Sequence, residues 1–137
     1  MADRKTFDVS LVTPEGPAFE GEAELIIVPG AAGEIGVLAR HAPLIATLKA
    51  GSTRVHLQVD GEVREFATGP GFFKVEQDRA IALVDDAVSA KDIDADRARA
   101  QLEEAQAELE RVESDADRWQ LEQRIRHAEN QLSVAGH

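Results

Sequence analysis

The side chains of this 137-residue chain best suited to chemistry are four histidines, His41, His56, His127 and His137, and an excess of carboxylates. Acid–base or metal-assisted catalysis needs such groups to converge. Here they scatter over a strand tip, a strand, a helix and the tail. His56 alternates onto a polar strand face, where a solvated role suits it. No His-Glu-x-x-His pair, no glycine-rich phosphate loop ending in Lys-Ser or Lys-Thr, and no Gly-x-Ser-x-Gly elbow occurs. The absence of cysteine excludes disulfides, thiolate metal sites and thiol nucleophiles. The acidic runs Asp92-Asp94-Asp96 and Glu103-Glu104 suit solvated helix faces, and Asp92 and Asp94 also suit helix caps. A small enzyme of cupin type would need a histidine–carboxylate cluster, which is not supplied. The expectation is a protein without a catalytic site or bound metal.

The stretch that organises the chain is Gly30 to Gly51. Glycines bracket it, Ile35 and Val37 give a short strand, Arg40-His41 a polar turn, and Leu44, Ile45 and Leu48 a second apolar run. A charged tip projecting from a packed β layer is expected. Taken singly, His41 reads as a structural residue satisfied by a backbone carbonyl.

Up to about Asp86 the apolar period is two. Phe7, Val9 and Leu11 alternate with polar residues, and Pro14 to Pro17 breaks the run. Leu25 to Val28 reads as a strand buried on both faces. Val55, Leu57 and Val59 alternate with Arg54, His56 and Gln58 before a turn at Asp60-Gly61, where a bulged three-residue loop would set Leu57 opposite Val63. Phe72 to Val75, a turn at Gln77-Asp78, and Ala80 to Val84 complete eight to ten short strands, the pattern of a small antiparallel β-sandwich. Residues 1–86 are read as that domain and 87–137 as a helical one. In the latter, Ala98, Leu102, Ala105, Leu109 and Val112 fall on one helical stripe, and Leu121, Ile125, Ala128, Leu132 and Ala135 on another. Ser114, Asp115 and Asp117 suit the start of the second helix. So short a link makes the pair an antiparallel hairpin. Its few large seam residues contribute roughly 2 kcal/mol each when fully buried, against an ordering cost of roughly 1.5 kcal/mol per residue. Alone it is marginal and must lean on the sandwich or on a partner.

With 26 acidic against 15 basic residues and a formal net charge of −11, the chain is a poor match for nucleic acid or for an anionic membrane surface. The N-terminus lacks the apolar core of a signal peptide, and the longest aliphatic run, Leu25 to Val28, is too short to span a bilayer. A soluble protein of a reducing compartment, most simply the cytoplasm, is expected.

Four motifs in order resemble the epsilon subunit of F-type ATP synthases. They are Gly33-Glu34-Ile35-Gly36-Val37-Leu38 with His41-Ala42-Pro43-Leu44 and Leu48-Lys49-Ala50-Gly51; Gly71-Phe72-Phe73-Lys74-Val75-Glu76 with Ala82-Leu83-Val84-Asp85-Asp86-Ala87; Ile93-Asp94-Ala95-Asp96-Arg97-Ala98; and Asn130-Gln131-Leu132-Ser133-Val134-Ala135. The resemblance covers nearly the whole chain; Ala39 departs from it, where many members have proline.

The resemblance implies a non-catalytic rotor subunit of the central stalk, coupling a proton-driven ring to a catalytic head. Its partners would be the gamma subunit, the ring of c subunits and the alpha/beta head, at the cytoplasmic face of a bacterial cell membrane, peripheral and without lipid insertion. Glu34, Arg40, His41 and Pro43 would form the ring-facing region. The helices would either fold against the sandwich or extend into the head and restrain ATP hydrolysis, with Arg118, Arg124 and Arg126 as the basic residues of the inhibitory helix. In some members the folded form binds ATP through the positions of Asp94 and Arg97, helped by basic residues whose places are here taken by His127 and Gln131. Neither is a firm cation, so no cofactor is expected and ATP only as a weak regulatory ligand. A second reading, a free-standing β-sandwich adaptor whose hairpin recruits a coiled-coil partner, uses the same elements.

Overall fold

The computed structural model describes residues 5–58 and 61–136. Met1–Arg4 and His137 lie outside it, as do Val59 and Asp60 of the expected β turn. Ten strands are followed by two helices: β1 (Phe7–Thr13), β2 (Gly16–Ala23), β3 (Leu25–Gly30), β4 (Gly33–Leu38), β5 (Leu44–Leu48), β6 (Gly51–His56), β7 (Val63–Thr68), β8 (Gly71–Glu76), β9 (Arg79–Val84), β10 (Ala87–Ser89), α1 (Ala95–Leu109) and α2 (Asp115–Ala135). The strands form two layers, β4-β3-β6-β7-β10 and β5-β8-β9-β1-β2, joined where Gly30 of β3 meets Leu48 of β5. All pairings are antiparallel except one, in which β1 runs parallel to β9. The sheet also continues past residue 86, because Ala87–Ser89 pairs with β7.

Period-two alternation places the core. Ile26, Val28, Val37 and Val55 of one layer face Val9, Leu11, Phe73, Val75, Ala80 and Ala82 of the other, all essentially buried. β3 departs from its expected burial on both faces. Ile26 and Val28 point inward while Leu25 and Ile27 are half-buried, because no second layer covers the outside of β3 along its length. Where β8 and β9 meet, a Cβ on Gly71 would collide with the Leu83 carbonyl, so their close approach requires glycine.

The β6–β7 hairpin also departs from expectation. His56 pairs with Val63, and the Leu57 amide donates to the Glu62 carbonyl. Leu57 is therefore opposite Glu62, not Val63. A one-residue slip exchanges the two faces of a strand. The observed register turns Phe66 and Thr68 into the core beside Thr53 and Val55, where Thr53 and Thr68 share a 2.8 Å hydrogen bond. Val63, which the expected register would have turned inward, is left outside. One buried phenylalanine outweighs one buried valine.

The helices start where their caps dictate. Asp94 accepts from the Arg97 amide and Ser114 from the Asp117 amide. Ala98 and Ala105 of α1 and Leu121 and Ala128 of α2 are buried on the expected stripes. Val134, off its stripe, is buried as well, as befits a helix packed against α1 on one side and against β6 and β7 on another.

Candidate functional site

Three surfaces of the molecule carry features that the core does not explain. The first is the outer face of the β5-β8-β9 layer. The register sets Thr47 beside Phe72 and Phe72 beside Leu83; one row along, Ile45 lies beside Lys74 and Lys74 beside Ile81. Ile45, Phe72 and Leu83 are 75%, 62% and 52% exposed. Neighbouring large apolar side chains left in water on a rigid sheet mark a protein-contact surface. Alternation assigned these residues to strands, but it cannot tell which sheet face stays uncovered.

The second is the sandwich end where β4 passes to β5. Arg40, Gln77 and Asp78 all have positive φ (64°, 51° and 56°), the only non-glycine residues described that do. The Arg40 amide donates to Asp78 Oδ1, which ties the β4–β5 loop to the β8–β9 turn. His41 Nδ1 donates to the Ala42 carbonyl at 2.6 Å. A charged, braced tip thus exists, and its brace is Asp78, 38 positions along the chain from Arg40. Arg40, His41 and Pro43 sit together there. Glu34 does not: it lies opposite Pro29, beside the Gly30–Gly33 turn at the other end of β4, with Arg54 Nη2 at 2.7 Å. It lies four residue steps along the strand from Leu38, about 13 Å.

The third is the joint between hairpin and sandwich, at the end away from that tip. Asn130 Nδ2 of α2 donates to the Gly51 carbonyl (3.2 Å) and to the Thr68 carbonyl (3.1 Å), gripping the start of β6 and the end of β7. One turn earlier, His127 Nε2 is 3.3 Å from Asp86 Oδ2, and Gln131 Nε2 is 3.0 Å from the same ring nitrogen. Asp85 is adjacent. Its pKa is raised by partial burial and by the Asp86 charge, against the pull of His127. A Cβ on Gly69 would collide with the Asp85 carboxylate, so glycine is what gives that group its place. A cleft of about 1220 Å³ opens here, lined by Lys49, Asp85, Gln101, Glu104, Arg124 and Arg126 among others. Asn130 and Asp86 carry no sequence signal of function, since an amide and an aspartate on polar surfaces have no periodicity.

The expected nucleotide residues are dispersed. Asp94 spends its carboxylate on the α1 cap, Arg97 is exposed, and neither is among the described residues lining the cleft. The helper positions His127 and Gln131 are bonded to each other. Of the three arginines of α2, Arg118 reaches the Val112 carbonyl at 3.5 Å, while Arg124, 3.9 Å from Glu108, lines the cleft together with Arg126. Among the described residues no group of three or more His, Cys, Asp or Glu side chains is placed to hold a metal ion. No described helix is long and apolar enough to cross a membrane.

Residues 6–90 match the beta-sandwich domain of the ATP synthase delta/epsilon chain, and residues 91–136 its long alpha-helix domain. The chain is 37% identical over 131 residues to the ATP synthase epsilon chain of Desulforamulus reducens, covering 96% of this chain and 98% of that one. It is 36% identical over 132 residues to that of Bacillus subtilis, with the same coverage of both chains. Among solved structures, its fold is similar to a chain of the Euglena gracilis mitochondrial ATP synthase OSCP/F1/c-ring assembly, with a TM-score of 0.79 at 24% identity over 100% of this chain and 84% of that one. It is also similar to a chain of the Tetrahymena thermophila central stalk and c ring, with a TM-score of 0.64 at 14% identity over 98% of this chain and 99% of that one. With the sandwich and the helical hairpin both matched in order and nearly end to end, the chain belongs to the ATP synthase delta/epsilon chain family.

Proposed function

We propose that this chain is the epsilon-type rotor subunit of an F-type ATP synthase, a non-catalytic part of the central stalk that helps couple the c ring to the alpha/beta head. The observation that carries the reading is the exposed apolar patch of Ile45, Phe72 and Leu83, spread over two adjacent rows of one sheet face. We assign this face to the gamma subunit, because an element that transmits torque needs a broad, dry contact on a stiff layer. The c ring meets the polar residues of β4 and its flanking loops. As Glu34 and the Arg40–Pro43 loop occupy opposite ends of β4, one partner reaches both only by lying along that strand, which pairs with β3 alone among the described strands. The hairpin is the regulatory part: folded down as here it leaves the head free, and extended it restrains ATP hydrolysis. No cofactor is required, and ATP is at most a weak ligand of the folded form. The subunit is peripheral, at the cytoplasmic face of a bacterial membrane.

The test is an Ile45→Ser/Phe72→Ser double substitution. Both positions are exposed, so the sandwich folds as before. Loss of two central apolar contacts, at about 1–2 kcal/mol each, weakens binding to gamma by roughly 30-fold or more. Unchanged affinity in a direct binding measurement with gamma would overturn the assignment of this face.

A further inference from the structure

We propose that docking of the hairpin onto the sandwich is proton-linked, with His127 as the switch and Asp86 as its counter-charge. This goes beyond the rotor reading, since it concerns the joint itself, whatever the hairpin regulates.

The geometry places two incompatible partners on one atom. Gln131 Nε2 is a donor and lies 3.0 Å from His127 Nε2, which suits a neutral imidazole whose Nε2 accepts. Asp86 Oδ2 is an acceptor and lies 3.3 Å from the same nitrogen, which suits a protonated one. Taking up a proton converts Nε2 from acceptor to donor. The ring then pairs with Asp86, and the Gln131 amide turns to present its oxygen. The neutral ring makes only a bond within α2. The charged ring makes a bond across the joint, so protonation favours the docked hairpin.

The surrounding charges nearly balance, so Asp86, 3.3 Å away, sets the sign. The sandwich presents Asp85 and Asp86 to His127, with Lys49 further along the cleft; α1 contributes Glu104; α2 itself contributes Arg124, Arg126 and Glu129. The short 3-10 turn at Ala90–Asp92, also packed on α2, adds the exposed Lys91 and Asp92, which offset one another. Asp85 acts in the same direction. Its carboxyl is raised above its ordinary value by partial burial and by Asp86, so its contribution is present at acid pH and lost as pH rises through the folded value. That window starts at the ordinary carboxylate range and extends upward from it. His127 and Asp86 side chains are 42% and 40% exposed, so solvent screens their pairing and the effect is a few-fold.

The experiment is hydrogen exchange of the full chain between about pH 5.5 and 7.5, corrected for intrinsic rates, across the ordinary imidazole range. In the unaltered chain, protection of α2 amides falls about two- to five-fold with rising pH relative to β8 and β9 amides. His127→Gln and Asp86→Asn each remove at least half of that slope, and Asp86→Asn retains the histidine as a check on folding. An α2 slope in either variant equal to that of the unaltered chain would overturn the proposal, as would a flat profile in the unaltered chain.

Discussion

Replacing Asn130 by alanine should release the hairpin while leaving the sandwich intact. Asn130 is half-buried and gives both amide hydrogens to carbonyls of the other domain, Gly51 and Thr68, at ordinary lengths. Each such bond contributes about 0.5–1.5 kcal/mol net. Because the adjoining cleft is open and water can reach the abandoned carbonyls, the lower part of that range applies, and the pair is worth about 1–2 kcal/mol. The undocked fraction should rise about 5- to 30-fold, since each 1.4 kcal/mol is a factor of ten. Amide hydrogen exchange reads this directly. The hairpin is held by small residues, Ala98 and Ala105 of α1 against Leu121 and Ala128 of α2, and once undocked it frays. Protection should therefore drop by that factor in both helices and stay constant in β8 and β9. A fall of less than two-fold in α2 would refute the idea that Asn130 is the main fastener. An equal fall throughout the sandwich would refute the idea that the hairpin is a separately opening unit.

Two further outcomes bear on the hairpin's role. Removing residues 93–137, which spares β10, should raise ATP hydrolysis by the assembled synthase modestly, about two-fold, given that Arg118, Arg124 and Arg126 are spread along α2; an unchanged rate would remove the inhibitory role. Asp94→Ser should leave α1 stability within a few tenths of a kcal/mol of the original, while Asp94→Ala costs about 1 kcal/mol by thermal unfolding; an ATP-induced amide shift that Asp94→Ser abolishes would show instead that the carboxylate serves a nucleotide.

Local rules made the strands and helices legible. Alternation located Phe7, Val9 and Leu11, turn chemistry located Gln77-Asp78, and cap chemistry located Ser114 and Asp94, because each is decided within a few residues. What needed partners far along the chain was not legible. The β6–β7 register hung on Phe66 finding Thr53, and the half-exposure of Leu25 and Ile27 depended on how little of the outer face the rest of the chain covers. The candidate sites divide in the same way. Arg40, His41 and Pro43 stand together because they are neighbours in sequence, while Glu34, nine positions before Pro43, is carried to the other end of β4. The brace Asp78, the fastener Asn130 and the counter-charge Asp86 are polar residues whose partners lie 38, 79 and 41 positions away. No pattern within one element could announce them.

The distribution of contacts differs between the sandwich and its joint with the hairpin. The largest fully buried side chains, Phe73, Leu11, Ile26 and Leu48 among them, all lie within the sandwich, and burying each contributes about 2 kcal/mol. The described bonds across the joint are polar instead: Asn130 to two carbonyls, and His127 to Asp86. Polar contacts exchange with water at small net cost, so undocking forfeits mainly the burial of Val134 and leaves few groups unsatisfied. A joint of this kind has a docking free energy small enough for a single proton or one competing protein surface to shift it several-fold. An apolar joint of the same area would hold the hairpin down under every condition. The sandwich, by contrast, has its own core and carries Ile45, Phe72 and Leu83 on its outer face, so the surface proposed for gamma is independent of the proposed switch.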